Sequence, residues 1–479
     1  MNRPNIIFVV ADALRAKNMS CYGYSKETTP YLSKLAKEGI LFENAYSTIT
    51  ATDPSLTSIF SGYYPVTHGI LNHGTKVTDA EMQHLTATKI ELLPEILRRI
   101  GYVTYALDWL GRWHRRGYMY YLGSLYDSKK TIMEHSLSRI LNKIPIPTLI
   151  RKNLKKLYYL VFGRPSHLMT AEQITAEAVK IIENNIDNNF FLFIHYWDTH
   201  NIYNPGKFDY KKFAEDNTEI CQELLKNVIK TLDPKYKEFL LNAYGNKTVG
   251  EIVGMYNAAI RNIDEQIRKI HKVLQKNGIK KNTLFIFTAD HGESLYEHGI
   301  YFEHEGLYNE TVRVPLIISY PEQLPMGKRL SMDVQHIDIV PTILSLLNYD
   351  SNVINRTDGK DLTPYIFDEK EPPETRIILF EEHEHEDKIG IKYGRYKYIE
   401  AFSKEGAICR RCRVIHGDYR ELYDLNTDKN EEVNIVYKHP ELSKELRELL
   451  IKYREAKKNK AKRLIIKNKL EKLEHVTKV

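Results

Sequence analysis

Cysteine is scarce: four residues in a chain of 479 cannot build a secreted disulfide framework. No apolar run reaches the roughly 18 residues a membrane-spanning helix needs. The short apolar stretch in MNRPNIIFVV stops at Asp12 with no small-residue cleavage site, so it reads as a buried strand rather than a leader. Internal repeats are absent. What is present, 42% apolar and 27% charged residues, is the make-up of a folded globular protein and not of a disordered one. The length is too great for one simple core and implies two domains with insertions. The expectation is a soluble cytoplasmic protein, a monomer or small oligomer.

The net charge of +7 is unevenly spread. Residues 451–479 carry eleven Lys/Arg against three Asp/Glu, which leaves everything before them close to neutral. The stretch 111–165 is also basic, with twelve Lys/Arg against Asp127 and Glu134. Basic charge confined to one internal stretch and a tail excludes a nucleic-acid-binding body. Within 111–165, Thr148–Phe162 (TLIRKNLKKLYYLVF) reads as a basic amphipathic helix. It fits an insertion packed on the domain, and it also fits peripheral contact with the inner membrane face.

Asn5–Val10 is a continuous apolar run, as in a parallel strand covered on both faces. Strands are expected at Val103–Leu107, Phe190–Ile194, Thr283–Thr288 and Val314–Ser319, and helices at Thr29–Glu38, from Asp53 to Gly62, 167–184, 252–275 and Ile339–Leu347. This alternation predicts an α/β fold with a doubly wound, mostly parallel sheet over residues 1–355, carrying insertions near 111–170 and 201–250. Short antiparallel segments and a last helix near 440–456 predict a smaller C-terminal α+β subdomain, 356–456. Residues 457–479 form a basic tail, helical or frayed.

The chemistry gathers at strand ends. Thr288-Ala289-Asp290-His291-Gly292-Glu293 follows an apolar strand, and an Asp-His pair there offers one oxygen and one nitrogen to a divalent cation. Asp12, just past the first strand, adds a carboxylate where open α/β sheets place ligands. Asp198 and His200 follow Phe190–Ile194 in the same way. Thr52 sits at the amino end of the helix beginning near Pro54, where free N–H groups favour an anion or an alkoxide; Thr52 or Asp53 also serves as that helix's cap. Cys409-Arg410-Arg411-Cys412 has zinc-knuckle spacing but no second cysteine pair, and reads first as two reduced or redox-sensitive thiols. Glu381–Glu386 (EEHEHE) reads as a solvated acidic surface.

In order along residues 4–455, these segments resemble the sulfatase and alkaline-phosphatase superfamily. Asn5–Arg15 is similar to its opening metal strand. Pro54-Ser55, Ser61–Pro65 and His68-Gly69 resemble its nucleophile helix and the following turn. Tyr196–Tyr203 (YWDTHNIY), Asp290–Gly299 (DHGESLYEHG), Leu307–Ile317 (LYNETVRVPLI), His336–Leu344 and Arg420–Leu425 complete the series. Arg112, Trp113 and His114 resemble its Lys-Trp-His element.

The resemblance implies an α/β ester hydrolase. In it Asp12, Asp290 and His291 hold Mn²⁺, Mg²⁺ or Ca²⁺, and Thr52 is the nucleophile. His200 and His304 handle charge and protons, with His298, Glu303 and Glu305 as lesser candidates. Asp198 belongs to a possible second site suited to Zn²⁺ or Mn²⁺. The departures are specific. Thr52 stands where sulfatases have a Cys or Ser that becomes formylglycine, Leu56 where they have Arg, Ala13 where they have a second Asp, and His304 where many have Lys. Threonine cannot form the aldehyde. The expectation is therefore a phosphodiesterase or phosphotransferase acting on a phosphoric ester. The alternatives are a sulfatase working without formylglycine and a non-catalytic anion- or glycan-binding protein. The expected partner is a small-molecule, lipid or glycan anionic ester.

Overall fold

A computed structural model describes residues 3–123, 154 and 169–476. Apart from Leu154, the basic helix expected at Thr148–Phe162 lies outside the described residues. An eight-stranded sheet is built from β1 (Asn5–Ala11), β2 (Ile40–Tyr46), β3 (Val103–Leu107), β4 (Tyr120–Leu122), β5 (Phe190–Tyr196), β6 (Thr283–Thr288), β7 (Arg313–Ser319) and β8 (Lys328–Gln335). Their order across the sheet is β4-β3-β5-β1-β6-β7-β2-β8. All neighbours run parallel except β7, which is antiparallel to both β6 and β2. The sheet is thus mixed but mostly parallel.

Every residue of β1 and β6 is buried, as their unbroken apolar runs require of strands covered on both faces. The helices fall into two packing groups. Pro30–Glu38, Ala171–Glu183 and Val249–Lys276 form one, while Thr52–Ser61, Leu93–Arg99 and Ile339–Leu346 form the other. Phe60, on the Thr52–Ser61 helix, packs its ring 5.2 Å from Phe8 of β1 and 4.8 Å from Phe193 of β5. Burying such a ring contributes about 2 kcal/mol, and here it also pins the helix to the sheet's central strands. Gly62 ends the helix at φ 75°, and its N–H closes on the Ser58 carbonyl.

A second, antiparallel sheet holds β9 (Ile377–Glu382), β10 (Lys388–Tyr393), β11 (Tyr396–Ala401) and β12 (Arg420–Asp424), in the order β12-β11-β10-β9. Its β9 docks just ahead of the Thr52 helix, where the Glu381 N–H donates to the Thr48 carbonyl at 3.0 Å. The chain ends in one helix, Pro440–Val476, so the basic segment is helical through Val476. Arg447 of that helix pairs with Glu400 of the small sheet, and Lys457 and Lys460 pair with Asp358 beside the large one.

Candidate active site

Asp12 and Asp290 leave the carboxyl ends of β1 and β6, which are paired in register, so their side chains meet. With His291 they form a fully buried group whose ligand atoms lie within 4.8 Å of one another. Each donor has its outer needs met from behind. Asp290 Oδ1 accepts from the backbone N–H groups of Ala13 (3.1 Å) and His291 (2.9 Å), leaving Oδ2 without a partner. His291 Nδ1 donates to the Gly292 carbonyl at 2.9 Å, which turns Nε2 inward. Both Asp12 oxygens lack hydrogen bonds, while the Asp12 carbonyl accepts from the Thr199 hydroxyl at 2.6 Å. Gly292 is required because a Cβ there would fall 2.0 Å from the Glu310 carbonyl.

His195, at the end of β5, is a residue the sequence reading passed over. Its Nδ1 lies 2.8 Å from Asp108 Oδ1 and its Nε2 3.5 Å from Asp12 Oδ2. Burial disfavours the imidazolium, but the hydrogen bond to Asp108 and the nearby Asp12 carboxylate outweigh it and lift the group to about 10. Burial likewise opposes the Asp12 charge, yet His195 and the neighbouring imidazoles hold Asp12 below the usual carboxylate range. Asp290 moves the other way, raised by burial and then by the Asp12 charge. Buried donors left without partners beside a second carboxylate are the chemistry that a divalent cation completes.

Thr52 is the first residue of its helix, with Ala51 as the cap. Its Oγ1 lies 3.4 Å from His291 Nε2. The Ser55 hydroxyl, one turn on, donates to the Asp290 carbonyl at 2.6 Å and so locks the helix to β6's exit. Behind Thr52, Asp53 is saturated. It accepts from the Gly74 N–H (2.7 Å), lies 3.0 Å from His73 and 3.1 Å from His114, and pairs with the Arg112 guanidinium. Trp113 Nε1 donates to Thr57 at 3.0 Å. The Arg112-Trp113-His114 element therefore converges on this helix. Burial works against a charge on His73, but Asp53 lifts it to about 9.

The His304 ring lies 4.4 Å from that of His291 and 6.1 Å from that of His200, tilted against both, and edge-on to His385 at 5.4 Å. Burial, then the neighbouring His291, keeps His304 well below the ordinary histidine value. The His200 ring lies flat on Trp197 at 4.0 Å, its Nδ1 donating to the Asn201 carbonyl at 2.7 Å, and burial lowers it too. Glu303, His304 and His385 form a second buried ligand-like group. Burial pushes Glu303 up to about 7 although the Arg411 guanidinium lies 2.6 Å away.

His385 comes from Glu381–Glu386, which is not the solvated acidic surface the alternation predicted. Glu381, Glu382 and Glu386 are buried. Glu382 accepts three backbone N–H groups, from Glu384, His385 and Glu386, and folds the segment into the cleft. Asp198 is engaged elsewhere, Oδ1 accepting from the Ala171 N–H (3.3 Å) and from Asn204 (2.7 Å). Among the described residues it joins no ligand group. His298 stacks on Tyr308 at 3.6 Å, and Glu305 turns onto Cys409, whose thiol donates to it at 3.4 Å.

The family model described as Sulfatase matches residues 4–349, and one described as N-sulphoglucosamine sulphohydrolase, C-terminal, matches 296–459. This chain belongs to the sulfatase family. Among curated relatives of the family, an N-acetylglucosamine-6-O-sulfatase of Bacteroides thetaiotaomicron is 23% identical, over 94% of this chain and 85% of its own length. A structure solved with its substrate D-glucosamine-2-N,6-O-disulfate superposes with a TM-score of 0.65 at 21% identity, covering 96% of this chain and 99% of that one. A phosphonate monoester hydrolase of Agrobacterium radiobacter superposes at 0.66 with 18% identity, covering 95% and 96%. At such identities the superpositions establish the fold alone.

The sulfatase matches overturn the expected phosphoric ester, and with it the phosphodiesterase and phosphotransferase reading. That reading rested on one side chain, Thr52. A hydroxyl rules out the aldehyde, but it does not distinguish two tetrahedral anions of the same shape.

Proposed function

We propose that this sulfatase-family hydrolase cleaves a sulfuric ester, with a sulfated glycan as substrate and the unmodified Thr52 hydroxyl in place of formylglycine. The observation that carries the reading is the Thr52 hydroxyl set 3.4 Å from His291 Nε2, which is grouped with the unpartnered oxygens of Asp12 and Asp290. Asp12, Asp290 and His291 would hold the divalent cation, for which we put Ca²⁺ first because the site is rich in oxygen donors. When bound, it would make the Thr52 hydroxyl more acidic and offset the negative charge of the ester.

The chain's own groups then divide the work. The Thr52 helix would point the positive end of its dipole at the sulfate, though the Asp53 N–H is already taken by His73 and Pro54 has none. His200 and His304, whose charged forms burial disfavours, would accept the Thr52 proton. Glu303, raised by burial to about 7, would supply a proton to the leaving sugar oxygen. Thr52 Oγ1 bonds to sulfur as the sulfur–oxygen bond to the sugar breaks. Water then displaces Thr52 from sulfur, releasing hydrogen sulfate and restoring the hydroxyl.

The test is sulfate release from 6-O-sulfated hexosamines and an aryl sulfate, with Ca²⁺, Mg²⁺ or Mn²⁺, by protein whose Thr52 peptide is shown intact by mass spectrometry. No release above that of Thr52→Ala with any of the three metals sinks the proposal.

A further inference from the structure

Outside the active site, Cys409, Cys412, His416 and Glu305 bring four potential ligand atoms within 4.8 Å of one another, all buried. We propose that these four residues form a structural Zn²⁺ site, independent of the catalytic metal, that ties the loop bearing His304 to the C-terminal subdomain. Cys-x₂-Cys followed by His four residues later supplies three ligands from one short segment, and Glu305 supplies the fourth from a distant one. His416 and Glu305 together replace the second cysteine pair whose absence from the sequence argues against a knuckle.

The spacing fits the ion. Bonds of about 2.0–2.3 Å at tetrahedral angles give ligand–ligand edges of about 3.3–3.8 Å. Here Cys409 Sγ lies 3.4 Å from Glu305 Oε1 and His416 Nε2 lies 3.8 Å from the same oxygen, both within that range, while Cys412 Sγ, 2.9 Å from His416 Nε2, would draw apart from it on binding the ion. The surroundings are those of a closed metal site. The Arg411 and Cys412 N–H groups both donate to Cys409 Sγ at 3.4 Å, as amides do to a thiolate in a metal-binding turn. Arg413 takes a left-handed φ of 64°, and the Cys409 N–H closes the turn on the Val414 carbonyl at 2.9 Å. His416 donates from Nδ1 to the His298 carbonyl at 3.3 Å, leaving Nε2 for the cluster, the outer bond that orients ligand histidines. Glu305 is 1% exposed and its Oε2 has no hydrogen-bond partner. A buried carboxylate beside two thiols is costly without a cation.

The placement has a use. Arg411, between the two cysteines, reaches Glu303 at 2.6 Å, while Glu305 directly follows His304. One ion would fix both flanks of His304.

Full-length protein, purified without chelator, is expected to retain one zinc per chain through dialysis. Its zinc X-ray absorption should show two sulfur neighbours at about 2.3 Å. Replacement by Co²⁺ should produce sulfur-to-cobalt charge-transfer absorption, which the oxygen- and nitrogen-lined catalytic site cannot give. Cys412→Ser and Glu305→Gln should weaken zinc retention at least tenfold. Because the absorption measurement uses wild-type protein, poor folding of a variant does not remove the test. A zinc spectrum with only oxygen and nitrogen neighbours, zinc-free protein whose apo form fails to take up added Zn²⁺, or a Cys409–Cys412 disulfide in freshly purified protein would each overturn the proposal.

Discussion

Asp12 and Asp53 are both wholly buried, yet the fold treats them differently. Asp53 is finished by the chain itself, with an arginine, two histidines and a backbone N–H on its two oxygens. Asp12 has no hydrogen bond to either oxygen, and its nearest cationic partner is His195 at 3.5 Å. A saturated carboxylate holds structure, and an unsaturated one is kept for a ligand. The difference separates scaffold from site within a few ångströms, where burial alone does not.

The largest expected effect is at Thr52. Thr52→Ala should lower sulfate release by about a thousandfold or more, with the unfolding midpoint unchanged, because it removes the nucleophile and no structural hydrogen bond. A fall in activity matched by a loss of stability would place Thr52 with Asp53 on the structural side.

Next comes the contrast itself, read by urea unfolding of chelator-treated protein. Asp53→Asn should cost about 3–5 kcal/mol, since the Arg112 guanidinium and His73 would lose the carboxylate that faces them. Asp12→Asn should cost less, because neither oxygen of that carboxylate has a hydrogen bond to lose. If the two variants lose equal stability, the distinction between them fails.

Adding metal should narrow the gap between the two variants. Ca²⁺ at a hundred times its dissociation constant is expected to stabilise the wild type by about 2.7 kcal/mol. The same addition should leave Asp12→Asn and Asp290→Asn where they were. Equal stabilisation of all three proteins would mean that the ion binds elsewhere.

The smallest effect concerns pH. His73 is raised from 6.5 to about 9 by Asp53, after burial has been overcome. The folded state therefore keeps a proton that the unfolded state has released. The stability this gives is full below pH 6.5 and is lost as pH rises through about 9. Across that window the wild type should lose stability faster than His73→Asn, by at most about 1.4 kcal/mol per pH unit. Parallel curves would remove His73 from the Asp53 network.

Much of this arrangement is legible in the chain. Unbroken apolar runs mark β1, β5 and β6, and the acidic or histidine residue after each run falls at the site because parallel strands share a carboxyl edge. The strands of the large sheet that escaped notice are β2, β4 and β8. In β8, charged and apolar residues alternate and blur the signal, while β2 carries Glu43 and Asn44. His195 escaped because it stands inside an apolar run, where a histidine looks like core. Glu381–Glu386 misled for the opposite reason: alternation of charge usually marks a wet face, whereas here backbone N–H groups solvate Glu382. The pairing of Glu305 with Cys409 and Cys412 spans about a hundred residues, which no local pattern encodes.

The reversed direction of β7 has a consequence for how such an enzyme can change its substrate. Because β7 runs antiparallel to β6, the chain leaves Thr288 and re-enters the sheet at Arg313 on the same edge. Residues 289–312 therefore begin and end on the carboxyl edge of β6, where Asp290, His291 and His304 lie. Lengthening or replacing part of this excursion leaves the β6–β7 ladder in register. New specificities can thus be tried at the mouth of the site while the hydrophobic framework that holds Asp12, Asp290 and His291 stays as it is.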